Sequence, residues 1–162
     1  MGLAIAAVFL PLIGAAIAGL FGRALGQRIA PLVTVIAMGA AAAFGIITFI
    51  DVTFGGNPGK AFLFDWIGSG TFRAAWAFRI DELTGVMMFV VTVVSFLVHV
   101  YSLGYMAHDE HKPRFFAYLS LFTFAMLALV TADNLMQLFF GWEGVGLMSY
   151  LLIGFWYHRP SA

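Results

Sequence analysis

The sequence predicts an all-α polytopic membrane protein with about five transmembrane helices and a short β-hairpin or interfacial segment in one loop. Of its 162 residues, 62% are hydrophobic and only 10% are charged, whereas a soluble domain carries about 25% charged residues. The few charges are spaced so that they leave five nearly uncharged stretches. Each stretch has the ~20 residues that cross a hydrocarbon core of ~30 Å.

The charge balance and the cysteine count exclude several kinds of site. Lys and Arg together number 8, as do Asp and Glu together, so the formal net charge is zero. The excess of basic residues that nucleic-acid binding requires is therefore absent. The chain has no Cys, which excludes disulfides and thiolate ligation of zinc or iron–sulfur clusters. Gly68-x-Gly70 stops short of a dinucleotide fingerprint. We therefore expect no cofactor or metal on this chain, no nucleic-acid partner, and a lipid bilayer around it.

Residues 1–50 are predicted to form the first two transmembrane helices, over 3–22 and 30–50. The first segment lacks a basic leading region and is too long for the apolar part of a signal peptide, so a retained helix is expected. Ala15 and Gly19, like Ala41 and Gly45, are small residues at a four-residue spacing that allows close helix approach. Ordinary membrane composition explains the same spacing equally well.

The loop over residues 51–81 is predicted to contain the hairpin. Two aromatic-rich runs, 61–67 and 71–80, flank the turn residues Gly68-Ser69-Gly70, a pattern typical of a β-hairpin. An interfacial helix over 71–80 is the alternative. Aromatic rings in this loop suit the lipid–water boundary; they belong to Trp66, Phe72, Trp76 and Phe78.

The last part of the chain, 82–162, is predicted to hold three further spans, at 83–103, 115–131 and 134–157. Asp81 precedes the first of them, where a helix N-cap belongs. Asp133 and Asn134 leave almost no loop between the fourth and fifth spans, so those two helices are expected to be adjacent and antiparallel.

The distribution of basic residues predicts the orientation. One side of the membrane receives five of them: Arg23, Arg28, Lys112, Arg114 and Arg159. The other side receives three: Lys60, Arg73 and Arg79. Because basic loops stay in the cytoplasm, this bias favours an outside N-terminus, an inside C-terminus and an extracytoplasmic 51–81 loop.

The loop between the third and fourth spans contains His108-Asp109-Glu110-His111. Two histidines three residues apart could ligate zinc or another divalent ion. No third ligand is evident in the sequence, so a solvated charged loop is the preferred interpretation.

Glu143 is the most informative residue. It lies about nine residues into its span, or about 14 Å deep at 1.5 Å per residue. A carboxylate there costs at least about 2.5 kcal/mol, and intramembrane carboxylates usually belong to proton or ion pathways. Phe139, Phe140, Gly146 and Leu147 fall near its helical face. We predict a proton-relay role for Glu143; a helix–helix contact is the alternative.

His99 is the other titratable residue clearly inside a predicted span. Ser95 and Ser102 fall on roughly its helical face. An imidazole can shuttle protons, so His99 is a second candidate for the proton path, although a packing role is the simpler interpretation. No Lys lies within a predicted span, so the cation expected beside Glu143 is not evident in this chain.

Three segments identify a family resemblance. They are Arg79-Ile80-Asp81-Glu82-Leu83-Thr84, Tyr101-Ser102-Leu103-Gly104-Tyr105-Met106, and the run from Thr131 to Phe155 that includes Gly141-Trp142-Glu143-Gly144-Val145-Gly146. The chain resembles the antiporter-like chain L (chain 5) family of respiratory complex I. The resemblance covers the whole chain and is weakest in the first 60 residues.

The resemblance implies an N-terminal part of a proton-translocating membrane subunit of NADH:quinone oxidoreductase. Glu143 maps onto the family's half-channel carboxylate, which pairs with a lysine on a later helix. Flavin, iron–sulfur clusters and quinone would belong to partner subunits, so this chain would be a translocase subunit without a redox site. Its partners would be neighbouring antiporter-like subunits, and its location a bacterial inner (plasma) or mitochondrial inner membrane.

Family members are much longer and contain the lysine helices that this sequence lacks. We therefore expect either a fragment or a second chain that completes the channel. A subunit of a multi-subunit cation/proton antiporter is the first alternative, because that family shares the glutamate motif. The second alternative is a membrane assembly subunit without translocation.

Overall fold

The computed structural model describes residues 1–157, which form four helices and one two-stranded sheet. The elements in chain order are α1 (Gly2–Thr53), β1 (Gly59–Ser69), β2 (Phe72–Ile80), α2 (Glu82–Tyr105), α3 (Lys112–Val130) and α4 (Leu135–Ile153). All four helices are long and apolar enough to cross a membrane. The predicted class, a helical membrane protein with a small hairpin, is confirmed.

α1 contains both of the first two predicted spans. Its 52 residues would extend about 78 Å if straight, more than twice the bilayer core. Gly26, at φ 79° and ψ 178°, breaks the helix with a backbone conformation that glycine adopts readily. A Cβ on Gly14 would lie 3.1 Å from Ala37 Cβ, so the two arms pack side by side. The described helices number four, rather than the expected five, because one bend joins two spans.

The predicted β-hairpin is present, and the alternative helix over 71–80 is wrong. β1 and β2 are antiparallel, with Gly59 opposite Ile80 and Ser69 opposite Phe72. The connecting turn contains Gly70 at φ 58°. The aromatic side chains divide between two environments, because one face of the hairpin covers the helix ends. Trp66 and Phe72 are partly or largely exposed, whereas Trp76 and Phe78 are buried, against the expectation that all four lie at the lipid–water boundary.

The hairpin packs against the ends of the helices. Phe78 and Ile80 join Ala4, Val52 and Leu127 in the largest buried apolar cluster. Arg79 N donates to Thr131 O at 2.9 Å. The start of α1, the end of α3 and the hairpin therefore lie at one end of the bundle.

The predicted connections of α2, α3 and α4 are confirmed. Asp81 Oδ1 accepts from Thr84 N at 2.9 Å and caps α2. A Cβ on Gly141 would lie 2.6 Å from Leu129 N, so α3 and α4 are in direct contact. α4 ends at Ile153, four residues before the predicted end. Phe155 instead packs in a buried cluster with Met106 and Phe116.

The predicted stripes of small residues lie at helix contacts. Ala15 and Ala41 are buried. A Cβ on Gly45 would meet Thr92 of α2, and one on Gly19 would meet Ala117 of α3. These residues let α1 approach two other helices closely.

Candidate proton-relay site

Glu143 lies at the middle of α4. It is the ninth residue of a 19-residue helix, so its Cα is about 12 Å along the axis from the first residue and about 15 Å from the last. Glu143 therefore lies near the midpoint of the helix.

The side of α4 that bears Glu143 is not covered by the rest of the described chain. Glu143 is exposed, as are Phe139 (58%) and Leu147 (55%), two of its predicted face neighbours. A Cβ added to Gly146 would meet no neighbouring element within 4 Å. No ion pair or hydrogen bond of the Glu143 side chain is found within residues 1–157. A partner for the carboxylate would have to come from outside this part of the chain.

The opposite side of α4 is fixed to the bundle by tight contacts. Gly141 lies against Leu129, and a Cβ on Gly144 would be 3.0 Å from Ala125 Cβ. At the helix start, Asn134 Oδ1 accepts from Gln137 N at 3.0 Å, and Gln137 Oε1 accepts from Ala77 N at 3.1 Å. These contacts orient α4 and so direct Glu143 outward.

The connection before α4 adds a charged contact to the hairpin. Lys60 Nζ lies 2.7 Å from Asp133 Oδ1, and Asn134 Nδ2 donates to Ala75 O at 2.7 Å. Neither Gln137 nor Lys60 is predicted in this role from the sequence. For Gln137, the available signal is a polar residue at the start of an apolar helix.

His99 is fully buried between α2 and α3. Its Nδ1 is 2.8 Å from Ser95 O, and its Nε2 is 2.9 Å from Ser120 Oγ. Ser95 Oγ and Thr123 Oγ1 are 2.5 Å apart. The predicted proximity of Ser95 is confirmed, and Ser120 and Thr123 extend the polar cluster onto α3.

Buried hydroxyl groups continue along the same side of α2. Thr84, Thr92 and Ser102 are all buried, and with His99 they recur at spacings typical of one helical face. Thr92 Oγ1 donates to Met88 O at 2.7 Å. The stripe lies between two neighbours of α2, because Thr92 faces Gly45 of α1 and His99 contacts Ser120 of α3.

His99 and Glu143 are on opposite sides of α3. His99 contacts α3 at Ser120, whereas α4 contacts it at Ala125 and Leu129. At 3.6 residues per turn these positions are roughly 140° and 180° around the helix from Ser120. Within the described residues, His99 and Glu143 therefore do not belong to one continuous site.

The loop with His108 and His111 contains hydrogen bonds within the protein. Asp109 Oδ1 accepts from His111 N at 2.7 Å, and Asp109 Oδ2 accepts from Trp156 Nε1 at 2.8 Å. Within residues 1–157, no three His, Asp or Glu residues are grouped as metal ligands. Asp109, which lies between the two histidines, thus connects this loop to Trp156 after α4 by a hydrogen bond.

Asp81 is the titratable group at the start of α2. The hydrogen bond from Thr84 N lowers the pKa of its carboxyl below the ordinary 3.8, and the nearby Arg79 lowers it further. Arg79 Nε is 3.5 Å from Asp81 Oδ2. Asp81 is therefore an ionised cap at neutral pH.

Two family models match the chain. Residues 66–116 match one described as NADH-ubiquinone oxidoreductase (complex I), chain 5 N-terminus. Residues 132–162 match one described as NADH:quinone oxidoreductase/Mrp antiporter, TM. The second segment includes α4 and Glu143.

Individual relatives give a consistent result. NADH-ubiquinone oxidoreductase chain 5 of Marchantia polymorpha is 52% identical over 155 residues, which are 96% of this chain and 23% of the relative. NADH-ubiquinone oxidoreductase chain 5 of Arabidopsis thaliana is 50% identical over 96% of this chain and 23% of its own length. NADH-quinone oxidoreductase subunit L of Rickettsia conorii is 50% identical over 96% of this chain and 24% of its own length. The chain thus spans about a quarter of these curated relatives.

Proposed function

Because this chain belongs to the antiporter-like chain 5 (subunit L) family of complex I, we propose that it supplies helices of a proton-translocating membrane subunit. Glu143 is the relay carboxylate in this proposal. The observation that carries it is the position of Glu143 at mid-helix, on the side of α4 that the described chain leaves uncovered.

The energetics favour a protein or water contact for Glu143 over lipid. A carboxylate facing hydrocarbon at mid-membrane is unfavourable by at least about 2.5 kcal/mol. A cation or ordered water beside it would offset that cost and set its proton affinity. In the proposal, this cation belongs to a part of the translocation unit outside residues 1–157.

We assign the redox chemistry to partner subunits. The chain has no Cys to hold iron–sulfur clusters. Flavin, clusters and quinone would therefore be bound elsewhere in the complex, with adjacent antiporter-like subunits as the membrane neighbours. The chain would reside in a bacterial inner or mitochondrial inner membrane, with its N-terminus outside.

The test uses Glu143→Gln in the assembled complex, because Gln keeps the shape and removes the titratable group. We expect normal assembly on native gels and strongly reduced NADH-driven proton pumping in proteoliposomes. Glu82→Gln, at the exposed start of α2, is the matched control and should pump normally. Impaired assembly of Glu143→Gln alone would favour the packing role.

A cation/proton antiporter without redox partners is the second candidate. The description of the family model over 132–162 names both kinds of protein. The model over 66–116 names complex I alone, and this favours the first candidate. Identification of the subunits that co-purify with the native chain discriminates between them: flavin and iron–sulfur proteins support complex I, and their absence supports the antiporter.

A further inference from the structure

A cavity of about 760 Å³ lies between the bend of α1 and the start of α3. This volume is within the range of small-ligand sites. It is at the end of the bundle opposite the hairpin, because the bend of α1 and the loop before α3 are both there: Gln27 Nε2 donates to Glu110 O at 2.5 Å. Its lining includes Gly19, Gly22, Arg23, His111 and Arg114.

The polar part of the cavity favours an anion. Arg23 and Arg114 come from different helices and line the same space, where Glu110 is the acidic residue. Arg114 Nη2 donates to Phe155 O at 3.4 Å, whereas its Nε is buried without a hydrogen-bond partner in residues 1–157. Arg23 makes no ion pair within residues 1–157, so its guanidinium can bind an acceptor in the cavity, while Arg114 adds a second positive charge beside it.

The start of α3 gives a second reason to expect an anion in the cavity. Its first turn carries Lys112 and Arg114 and no acidic residue. The N-terminal end of a helix is the positive end of its dipole, so cations there are unfavourable and an anion is stabilised. An anion in the cavity would compensate both the dipole and the basic side chains.

The apolar part of the cavity indicates a lipid. Ala18, Gly19, Gly22 and Ala117 form a floor of small residues, and the neighbouring Leu20 and Phe21 are exposed, as on a bilayer-facing surface. Basic pockets between transmembrane helices bind anionic lipid headgroups. We infer that this cavity binds the phosphodiester headgroup of an anionic phospholipid, with its acyl chains along α1. The inference does not depend on the proton-relay role of Glu143.

The test uses the assembled complex in phosphatidylcholine nanodiscs that contain a photoreactive phosphatidylglycerol. We expect cross-links to peptides covering 19–26 and 110–118. Arg23→Gln should reduce them about fivefold, the effect of one basic residue near an anionic headgroup. Arg23 is chosen because Arg114 also packs on the Phe155 ring, 4.7 Å from its centroid.

Arg73→Gln, at the exposed hairpin, is the control and should leave these cross-links unchanged. A photoreactive phosphatidylcholine should label the same peptides weakly and equally in all variants. Equal labelling by both lipids, or no change in Arg23→Gln, would overturn the inference. Displacement of the labelled lipid by inorganic phosphate alone would assign the cavity to a free anion instead.

Discussion

His99 Nε2 and Ser120 Oγ lie 2.9 Å apart and join the buried faces of α2 and α3. The other ring nitrogen, Nδ1, is 2.8 Å from Ser95 O, a carbonyl that can only accept. In the neutral ring Nδ1 therefore carries the proton, and Nε2 accepts from the Ser120 hydroxyl. This arrangement fixes both the tautomer and the orientation of the imidazole.

Ser120→Ala is expected to destabilise the α2–α3 contact by about 1–3 kcal/mol, because it leaves the buried Nε2 without a partner. Thermal unfolding of the solubilised complex measures the effect. Ser102→Ala removes a similarly buried hydroxyl that makes no hydrogen bond to His99, and it should have a smaller effect. Equal losses of stability in the two variants would indicate that the His99–Ser120 hydrogen bond contributes no more than any other buried hydroxyl.

His99→Ala is expected to lower proton pumping less than Glu143→Gln does, since the two residues lie on different sides of α3. Proton uptake per NADH, measured across a pH series in proteoliposomes, tests this. A fully assembled variant whose pumping is unchanged at every pH would return His99 to a packing role.

Gly141→Ala is expected to separate α3 from α4. Its Cβ would lie 2.6 to 2.7 Å from Leu129 backbone atoms, a clash that typically costs about 1–3 kcal/mol in a packed contact. Gly146→Ala is the matched control, because no neighbouring element lies within 4 Å of its Cβ position. Thermal stability and assembly should fall only for Gly141→Ala; a tolerated Gly141→Ala would contradict the close helix contact.

The cap that Asp81 provides at the start of α2 is expected to weaken in acid. Its carboxyl has a lower pKa folded than the ordinary 3.8, so its stabilising effect is present above about pH 4 and is lost as pH falls through the folded pKa. Asp81→Ala should cost about 1 kcal/mol at neutral pH and less in acid. Unfolding at pH 7 and below pH 3 compares the two; an equal loss at both would contradict the role of the ionised cap.

The orientation can be tested directly because the chain contains no Cys. Ser69→Cys in the hairpin and Ala107→Cys after α2 lie at opposite ends of the bundle. The excess of basic residues predicts that an impermeant maleimide added outside intact cells or mitoplasts labels Ser69→Cys alone. Labelling of Ala107→Cys alone would reverse the topology. Arg159, one of the five basic residues behind this prediction, lies outside the described residues.

Local signals in the sequence predicted the hairpin, the Asp81 cap and the short α3–α4 connection. Turn residues and caps act through their own backbone, so they are readable without tertiary knowledge. The bend at Gly26 was missed because the surrounding charges indicated a loop, while the backbone stays helical on both sides of one glycine. The end of α4 is earlier than predicted because the apolar residues after Ile153 match the sequence pattern of a span. Phe155 instead packs against Phe116 in a buried cluster.

The candidate site was only partly predictable. The position of Glu143 near the middle of a helix follows from its place in an apolar run. Its outward direction depends on Gly141 and Gly144 meeting α3, which no local pattern specifies. The Ser120 and Thr123 contacts of His99 likewise bring together residues more than 20 positions apart, through helix packing alone.

The proposed titration of Glu143 during proton transfer is tested most directly by the ratio of protons pumped to NADH oxidised. The measurement compares the wild-type complex with Glu143→Gln and Glu143→Asp in proteoliposomes at matched NADH oxidation rates. We predict a strongly reduced ratio for Gln and a ratio closer to wild type for Asp, which keeps a carboxyl group. An assembled Glu143→Gln complex with the wild-type ratio would contradict the claim.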